Sequence, residues 1–157
     1  MKQPIMASLM SYSGGGKDTQ ATLLKTFLEK RDATVVDRIG RFFFGKRYKG
    51  GPVVWVSAGD IMRALVKQGT YAGRMLDQKV MIAGAAAPAF LATWSWADQL
   101  MRELKEGQHV VFPSSPRTLQ EARDLDDFAE FFNLRYFPIH LEVRREEAFR
   151  RLMARGR

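Results

Sequence analysis

The sequence predicts an α/β fold, a doubly wound parallel sheet with helices on both faces. Two observations lead there. Short apolar runs alternate along the chain with longer amphipathic stretches, the pattern of strands feeding crossover helices. The first such pair, "IMASLM" and "KDTQATLLKTFLEK", is joined by a turn of three glycines, so strand, tight turn and helix follow one another directly.

The elements follow in order. Residues 5–10 form an apolar run that fits a buried parallel strand. Residues 17–30 place Leu23, Leu24, Phe27 and Leu28 on one helical face. Residues 33–52 carry the possible strand "TVVD" and are punctuated by glycines, and they are expected to be an irregular or hairpin insertion. "PVVWVS", 52–57, is β-branched and aromatic and predicts a second core strand. A helix then runs from Ala58 to the stop at Gly69, with Ile61, Leu65 and Val66 on one face. Another spans 71–83 and ends at Gly84, and a long amphipathic helix covers 88–107, its Trp94, Leu100 and Leu104 expected to face the sheet. A strand at 109–113, the loop "SSPRT", a helix at 119–132, a strand at 135–143 and an arginine-rich helix from 145 complete the pattern.

Composition narrows the function. The chain has 157 residues, of which 46% are hydrophobic, enough for one domain with a real core and too many for a disordered chain. No stretch of about 18 apolar residues occurs, so no transmembrane helix and no membrane partner are expected. The N-terminus lacks the apolar stretch and cleavage site of a signal peptide. Cysteine is absent, which excludes disulfides and thiolate metal sites and makes a cytoplasmic location the expectation. The net charge of +8 implies anionic partners. Basic clusters lie at 41–51 and 144–157. No nucleic-acid fold signature accompanies them, so phosphorylated small molecules are expected rather than nucleic acid.

The chemistry starts at "SYSGGGKDTQ". A phosphate loop has the form G-x-x-x-x-G-K-[ST], and Gly16 and Lys17 supply its end. Ser11 takes the first-glycine position and Asp18 the hydroxyl position. Such a loop needs backbone N–H groups converging on phosphate oxygens at a helix N-terminus, with a lysine neutralising charge. Gly14, Gly15 and Gly16 supply the backbone freedom, and Ser11 is tolerable if its angles stay in the ordinary region. The Asp18 carboxylate suits the helix dipole but repels phosphate, so it either points away or helps hold a magnesium ion. Taken alone, the stretch is as good a glycine-rich turn as a phosphate cradle.

Four blocks in order, "GGGKDTQATLL", "VSAGDIMRALVKQGTYAGRMLDQKVMIAGAAAP", "HVVFPSSPRT" and "RRLMARGR", resemble the adenylate kinase family of nucleoside monophosphate kinases. The resemblance implies a P-loop kinase domain over 1–157, with a helical monophosphate-binding subdomain at 57–88. It also implies that the family's lid and final strand are missing here. In the first block Lys17, Thr19 and Gln20 match the end of the family's loop, so Gly14, Gly15, Gly16, Lys17, Asp18 and Thr19 would hold the ATP phosphates. The second block is similar to T-G-D-x-[LM]-R, with Ser57 in the threonine place, then Ala58, Gly59, Asp60 and Arg63. By resemblance Arg63 grips the acceptor phosphate and Ser57 lies near its base. Gly84, Ala85 and Ala87 fall where the family's backbone contacts that base.

In the third block Pro116 and Arg117 match D-G-[FY]-P-R, making Arg117 a second acceptor-phosphate clamp. Pro113 replaces the aspartate that organises magnesium through water, and Ser114 replaces the glycine. Asp18 and Asp60 are the carboxylates expected to compensate, indirectly and through water. Gln120 or Glu121 falls at the family's base-reading glutamine. In the fourth block Arg151 would lie against the donor base and Arg155 near the transferring phosphates. The implied activity is transfer of the γ-phosphate of ATP, with Mg2+, to AMP, in which Lys17, Arg63, Arg117 and Arg155 carry the chemistry. Phosphoryl transfer needs positioning and charge neutralisation more than proton transfer. Accordingly the site is rich in Lys and Arg, and His109 and His140 read as structural. Two alternatives stand beside it: a nucleotide-binding pseudo-kinase or regulatory module, suggested by Ser11, Asp18 and Pro113, and a kinase for another monophosphate such as dTMP.

Overall fold

The computed structural model describes residues 3–34, 37, 39, 42 and 51–154. Most of the expected insertion at 33–52, with Val35 and Val36 of the possible strand "TVVD", lies outside the described residues, as does Arg155; Asp37 N–H donates to Thr34 Oγ1 at 3.1 Å. The described elements are β1 (Ile5–Met10), α1 (Lys17–Asp32), β2 (Val53–Trp55), α2 (Ala58–Lys67) and α3 (Tyr71–Leu76). A π-helical segment, Asp77–Ile82, continues α3, and α4 (Ala89–Glu103), β3 (His109–Phe112), α5 (Leu119–Phe131), β4 (Arg135–His140) and α6 (Arg145–Ala154) follow.

The four strands form one sheet in the order β2-β3-β1-β4, and every pair is parallel. Side-chain alternation sorts the strands onto two cores. Met6, Val54, Val56, Val110 and Phe112 pack with Trp96 and Leu100 of α4 and with Leu125 and Ala129 of α5. Leu9 and Val111 face the other way, against Ala21 and Leu28 of α1. A third cluster, Ala58, Met62, Leu76, Ala87 and Ala92, joins α2, α3 and the start of α4.

This layering has a consequence for function. The chain leaves β1 over one face through α1, and leaves β3 over the other face through α5. β1 and β3 are neighbours, so the crossovers diverge between them. Open α/β sheets bind ligands in the crevice outside the carboxyl ends of such strands.

Several expectations need correction. Trp94 does not face the sheet. It is 45% exposed, while Trp96 is 1% exposed. Trp96 and Leu100 share a helical stripe at a spacing of four, and Trp94 lies on the opposite side of the helix from Trp96. The buried stripe of α1 is Ala21, Leu24 and Leu28, whereas Leu23 and Phe27 remain more than half exposed. The helix expected at 71–83 divides into α3 and the π-helical segment. The long helix stops at Glu103, because Leu104 is already extended, with ψ 128°. β2 and β4 are shorter than expected, at Val53–Trp55 and Arg135–His140.

His109 is structural and ties three elements together. Its Nδ1 accepts the Ile5 N–H at 2.9 Å, and its Nε2 lies 3.0 Å from Asp32 Oδ2. Because Nδ1 accepts, the ring hydrogen sits on Nε2 and is donated to the carboxylate. Arg31, whose Nε donates to the same oxygen at 2.7 Å, and then His109 hold the Asp32 carboxyl below its ordinary value. A depressed carboxyl pKa adds stability that is present above the unfolded-state value of about 4. It is lost as pH falls through the lower folded value. Urea unfolding of Asp32→Asn is therefore expected to show a deficit at pH 7 that shrinks in acid. An equal deficit at pH 7 and pH 2.5 would contradict this linkage.

Candidate functional site

The crevice between β1 and β3 is a cavity of about 1040 Å3. Leu9, Met10 and Ser11 at the end of β1 line it, with Ser13, Lys17 and Asp18 of the glycine loop and α1. Trp55, Ser57, Gly59, Asp60 and Arg63 come from β2 and α2, and Pro113, Ser114, Pro116 and Arg117 from the loop after β3. Of the expected site residues, Lys17, Asp18, Ser57, Asp60, Arg63, Ser114 and Arg117 therefore meet in one space.

The loop is built around glycine. Gly14 and Gly16 both have φ of +83°, a conformation that L side chains seldom adopt. Gly16 stands at the N-terminus of α1, and the Gly15 N–H donates to Tyr12 O at 3.0 Å. A Cβ on Gly15 would stand 1.9 Å from Ser11 Oγ. Ser11 is not among the positive-φ residues, so its backbone needs no glycine. Its hydroxyl donates to Leu141 O at 2.9 Å, tying the loop to the chain just after β4.

Lys17 opens α1, and its side chain has neither an ion pair nor a hydrogen bond among the described residues. Asp18, in the first turn, is exposed. Thr19 is exposed on the same helix and does not line the cavity.

Ser57 caps α2, its Oγ accepting the Asp60 N–H. Arg63 folds back over Gly59 and donates to Asp60 Oδ1 at 2.6 Å. This hydrogen bond, followed by the one at Ser57, holds the Asp60 carboxyl below its ordinary value and so ionised. The two side chains are 61% and 68% exposed, and an exposed pair of this kind is worth about 0–1 kcal/mol. Arg63 is thus free to leave Asp60 for a better anion, and Asp60→Asn is expected to change the unfolding free energy by less than about 1 kcal/mol. A larger loss in urea titration would mean that the pair is structural.

Arg117 is exposed and its Nε donates to Ser114 O at 3.2 Å. Glu121 is turned into the fold: it is 1% exposed, and its carboxylate accepts the Arg117 N–H at 2.6 Å. Gln120 is exposed and donates to Asp124 Oδ1 at 2.8 Å. Neither lines the cavity. Gly84 and Ala85 are exposed, Ala87 is buried in the α2–α3–α4 cluster, and none of the three lines the cavity.

α6 closes against the loop from the other side. A Cβ on Gly14 would meet Ala148 O at 2.3 Å, and Arg151 Nη1 lies 3.8 Å from the Cβ position of Gly16. Arg151 donates to Glu147 Oε1 at 2.7 Å. Trp55 and Ser13 are lining residues that sequence reasoning missed. The end of β2 was legible from "PVVWVS", but nothing in that run marks which side of the sheet Trp55 takes.

Three cationic side chains, Lys17, Arg63 and Arg117, thus converge with helix α1's N-terminus on a polar crevice that suits a polyanion. Two carboxylates, Asp18 and Asp60, share it. No group of three or more His, Cys, Asp or Glu able to hold a metal occurs among the described residues. No helix among them is long and apolar enough to cross a membrane.

No family model matches the chain. Curated proteins do. The chain is 27% identical over 147 residues to an adenylate kinase of Chlamydia pneumoniae, a match covering 94% of this chain and 57% of the relative. It is 27% identical over 148 residues to an adenylate kinase of Leptospira biflexa, covering 94% and 66% respectively. The chain thus spans between 57% and 66% of the length of these curated relatives. The chain, with its parallel sheet and glycine loop, is thus distantly similar to adenylate kinases along nearly its whole length.

Proposed function

We propose that the chain is a nucleoside monophosphate kinase that moves the γ-phosphate of ATP to AMP, giving two ADP. The observation that carries this reading is the meeting of Lys17, Arg63 and Arg117, from three separate segments, in one crevice at the end of β1 and β3. A phosphoryl group in transit spreads negative charge over its equatorial oxygens and asks the protein for positioning and cations. Lys17 and the N–H groups of Gly14 and Gly16 hold the donor phosphates, with Thr19 behind them, while Gly15 shapes the loop through its N–H bond to Tyr12 O. Arg63 and Arg117 hold the acceptor phosphate, while Arg151 lies on the donor side of the loop. Arg155 is proposed for the transferring phosphates from the resemblance alone. Ser57 and Ser114 flank the acceptor.

Magnesium fits this donor set. In nucleotide sites the ion takes one or two carboxylates and completes its shell with water and phosphate oxygens. Asp18 and Asp60 are the carboxylates at hand, and Asp60 is kept ionised by Arg63. When bound, the ion neutralises phosphate charge. Asp60 would be available to such an ion once Arg63 held the acceptor phosphate instead.

One observation favours a second reading, a nucleotide-binding module without efficient turnover. Pro113, which cannot help organise magnesium, is buried at the end of β3 and lines the cavity. A coupled assay with AMP, CMP, UMP and dTMP separates the readings and tests the acceptor. Phosphorylation of AMP in preference to the others is expected. Tight ATP binding with no acceptor phosphorylated, and no rescue by Pro113→Asp, would select the second reading instead.

A further inference from the structure

We infer that Trp55 touches the acceptor nucleoside and sets its base preference, an inference that rests on the kinase reading above. Trp55 is the last residue of β2, at the carboxyl end of the sheet. It shares the α1 face with Val53, where it packs beside Leu9 and Val111. The packing leaves it only partly buried, and it lines the same cavity as Lys17, Asp60 and Arg63. It is the one aromatic side chain among the described residues lining that cavity.

The segment is held firmly. The Trp55 carbonyl accepts from Gln99 Nε2 at 3.2 Å, and two residues later Ser57 caps the helix that carries Arg63. Wall and phosphate clamp therefore move as one piece. No protein acceptor takes the indole N–H among the described residues, so the side chain combines an aromatic surface with a free donor. That pairing suits a planar heterocycle with polar edges. The two side chains that the sequence nominates at the base-reading glutamine are engaged elsewhere: Gln120 on Asp124, and Glu121 inside the fold on the Arg117 N–H. Base contact passes to Trp55.

The test uses indole emission, read in a Trp94→Phe background to remove the other exposed tryptophan. Titration with AMP, CMP, UMP and dTMP is expected to change the emission of this protein, and the change is expected to vanish on adding Trp55→Phe. Trp55→Ala, which removes the aromatic face that phenylalanine would keep, should raise KM for the preferred acceptor about tenfold with little change in kcat, and flatten the ranking of bases. Ribose 5-phosphate, which lacks a base, should bind both proteins equally by calorimetry. Persistence of the emission change without Trp55, or an unchanged base ranking, would overturn the role of Trp55 while leaving the kinase reading intact. Failure of every monophosphate to bind the wild-type chain would overturn both.

Discussion

Lys17→Met is expected to lower kcat by about 10²–10³-fold, the usual cost of removing one preorganised electrostatic stabiliser of a transition state. The melting temperature should barely move. Lys17 opens α1 and lines the cavity, and its side chain makes no ion pair or hydrogen bond among the described residues. Removing it breaks no contact that holds the fold. Its position is set by Gly16, whose left-handed backbone turns the chain from the loop into the helix. A cation kept without a partner at a helix N-terminus has little stabilising value, because the helix dipole there favours negative charge. Steady-state kinetics and differential scanning calorimetry on one preparation check both halves. A variant with a clearly lower melting temperature and an unchanged kcat would invert the assignment.

Gly14→Ala is expected to destabilise the protein by roughly 2–5 kcal/mol and to weaken ATP binding with it. About 1–2 kcal/mol comes from forcing a side chain into the left-handed region at φ +83°. Overpacking adds about 1–3 kcal/mol, since the new Cβ would stand 2.3 Å from the Ala148 carbonyl oxygen. That atom is backbone within α6 and cannot rotate aside. The loop or the helix must move, and Arg151 moves with the helix. Gly84→Ala is the control: its φ is +61° but nothing lies within 4 Å of its Cβ position, so only the backbone share should appear. Urea unfolding of the two variants measures the difference. Equal losses would show that α6 does not press on the loop.

Much of this fold was legible in the residues. β1, the glycine turn and α1 were read nearly to their ends, because an apolar run, three glycines and an amphipathic stretch are each local signals. The faces of helices were read less well. "LATWSWADQL" places two tryptophans two residues apart, on opposite sides of a helix, and propensity does not say which one the sheet takes. Packing decides: Trp96 makes edge-to-face contacts with Phe112 and Phe128 at centroid distances of 5.8 and 5.5 Å. On α1, likewise, Leu23 and Phe27 were grouped with Leu24 and Leu28, but only a narrower stripe meets the sheet.

The candidate site was legible as a set of residue types and only partly as a place. Lys17, Arg63 and Arg117 were nominated from three distant segments, and the parallel sheet brings all three to one crevice. Glu121 shows where linear matching stops. At the N-terminus of α5 its own N–H is capped by Thr118 Oγ1 at 3.1 Å, and its carboxylate turns back to the Arg117 N–H. The sequence T-x-x-E at 118–121 is a helix-start signal of this kind, one that a reading for base recognition passes over.

Phosphorus NMR of ATP, AMP and magnesium with the 157-residue chain, beside the Lys17→Met variant purified identically, tests the central claim most directly. The expected result is that ATP and AMP signals fall together as ADP grows at two per ATP lost, while the variant does so at least about a hundredfold more slowly. Nucleotide that binds while its phosphorus spectrum stays unchanged, or turnover equal in the two proteins, would contradict a phosphoryl-transfer site in this crevice.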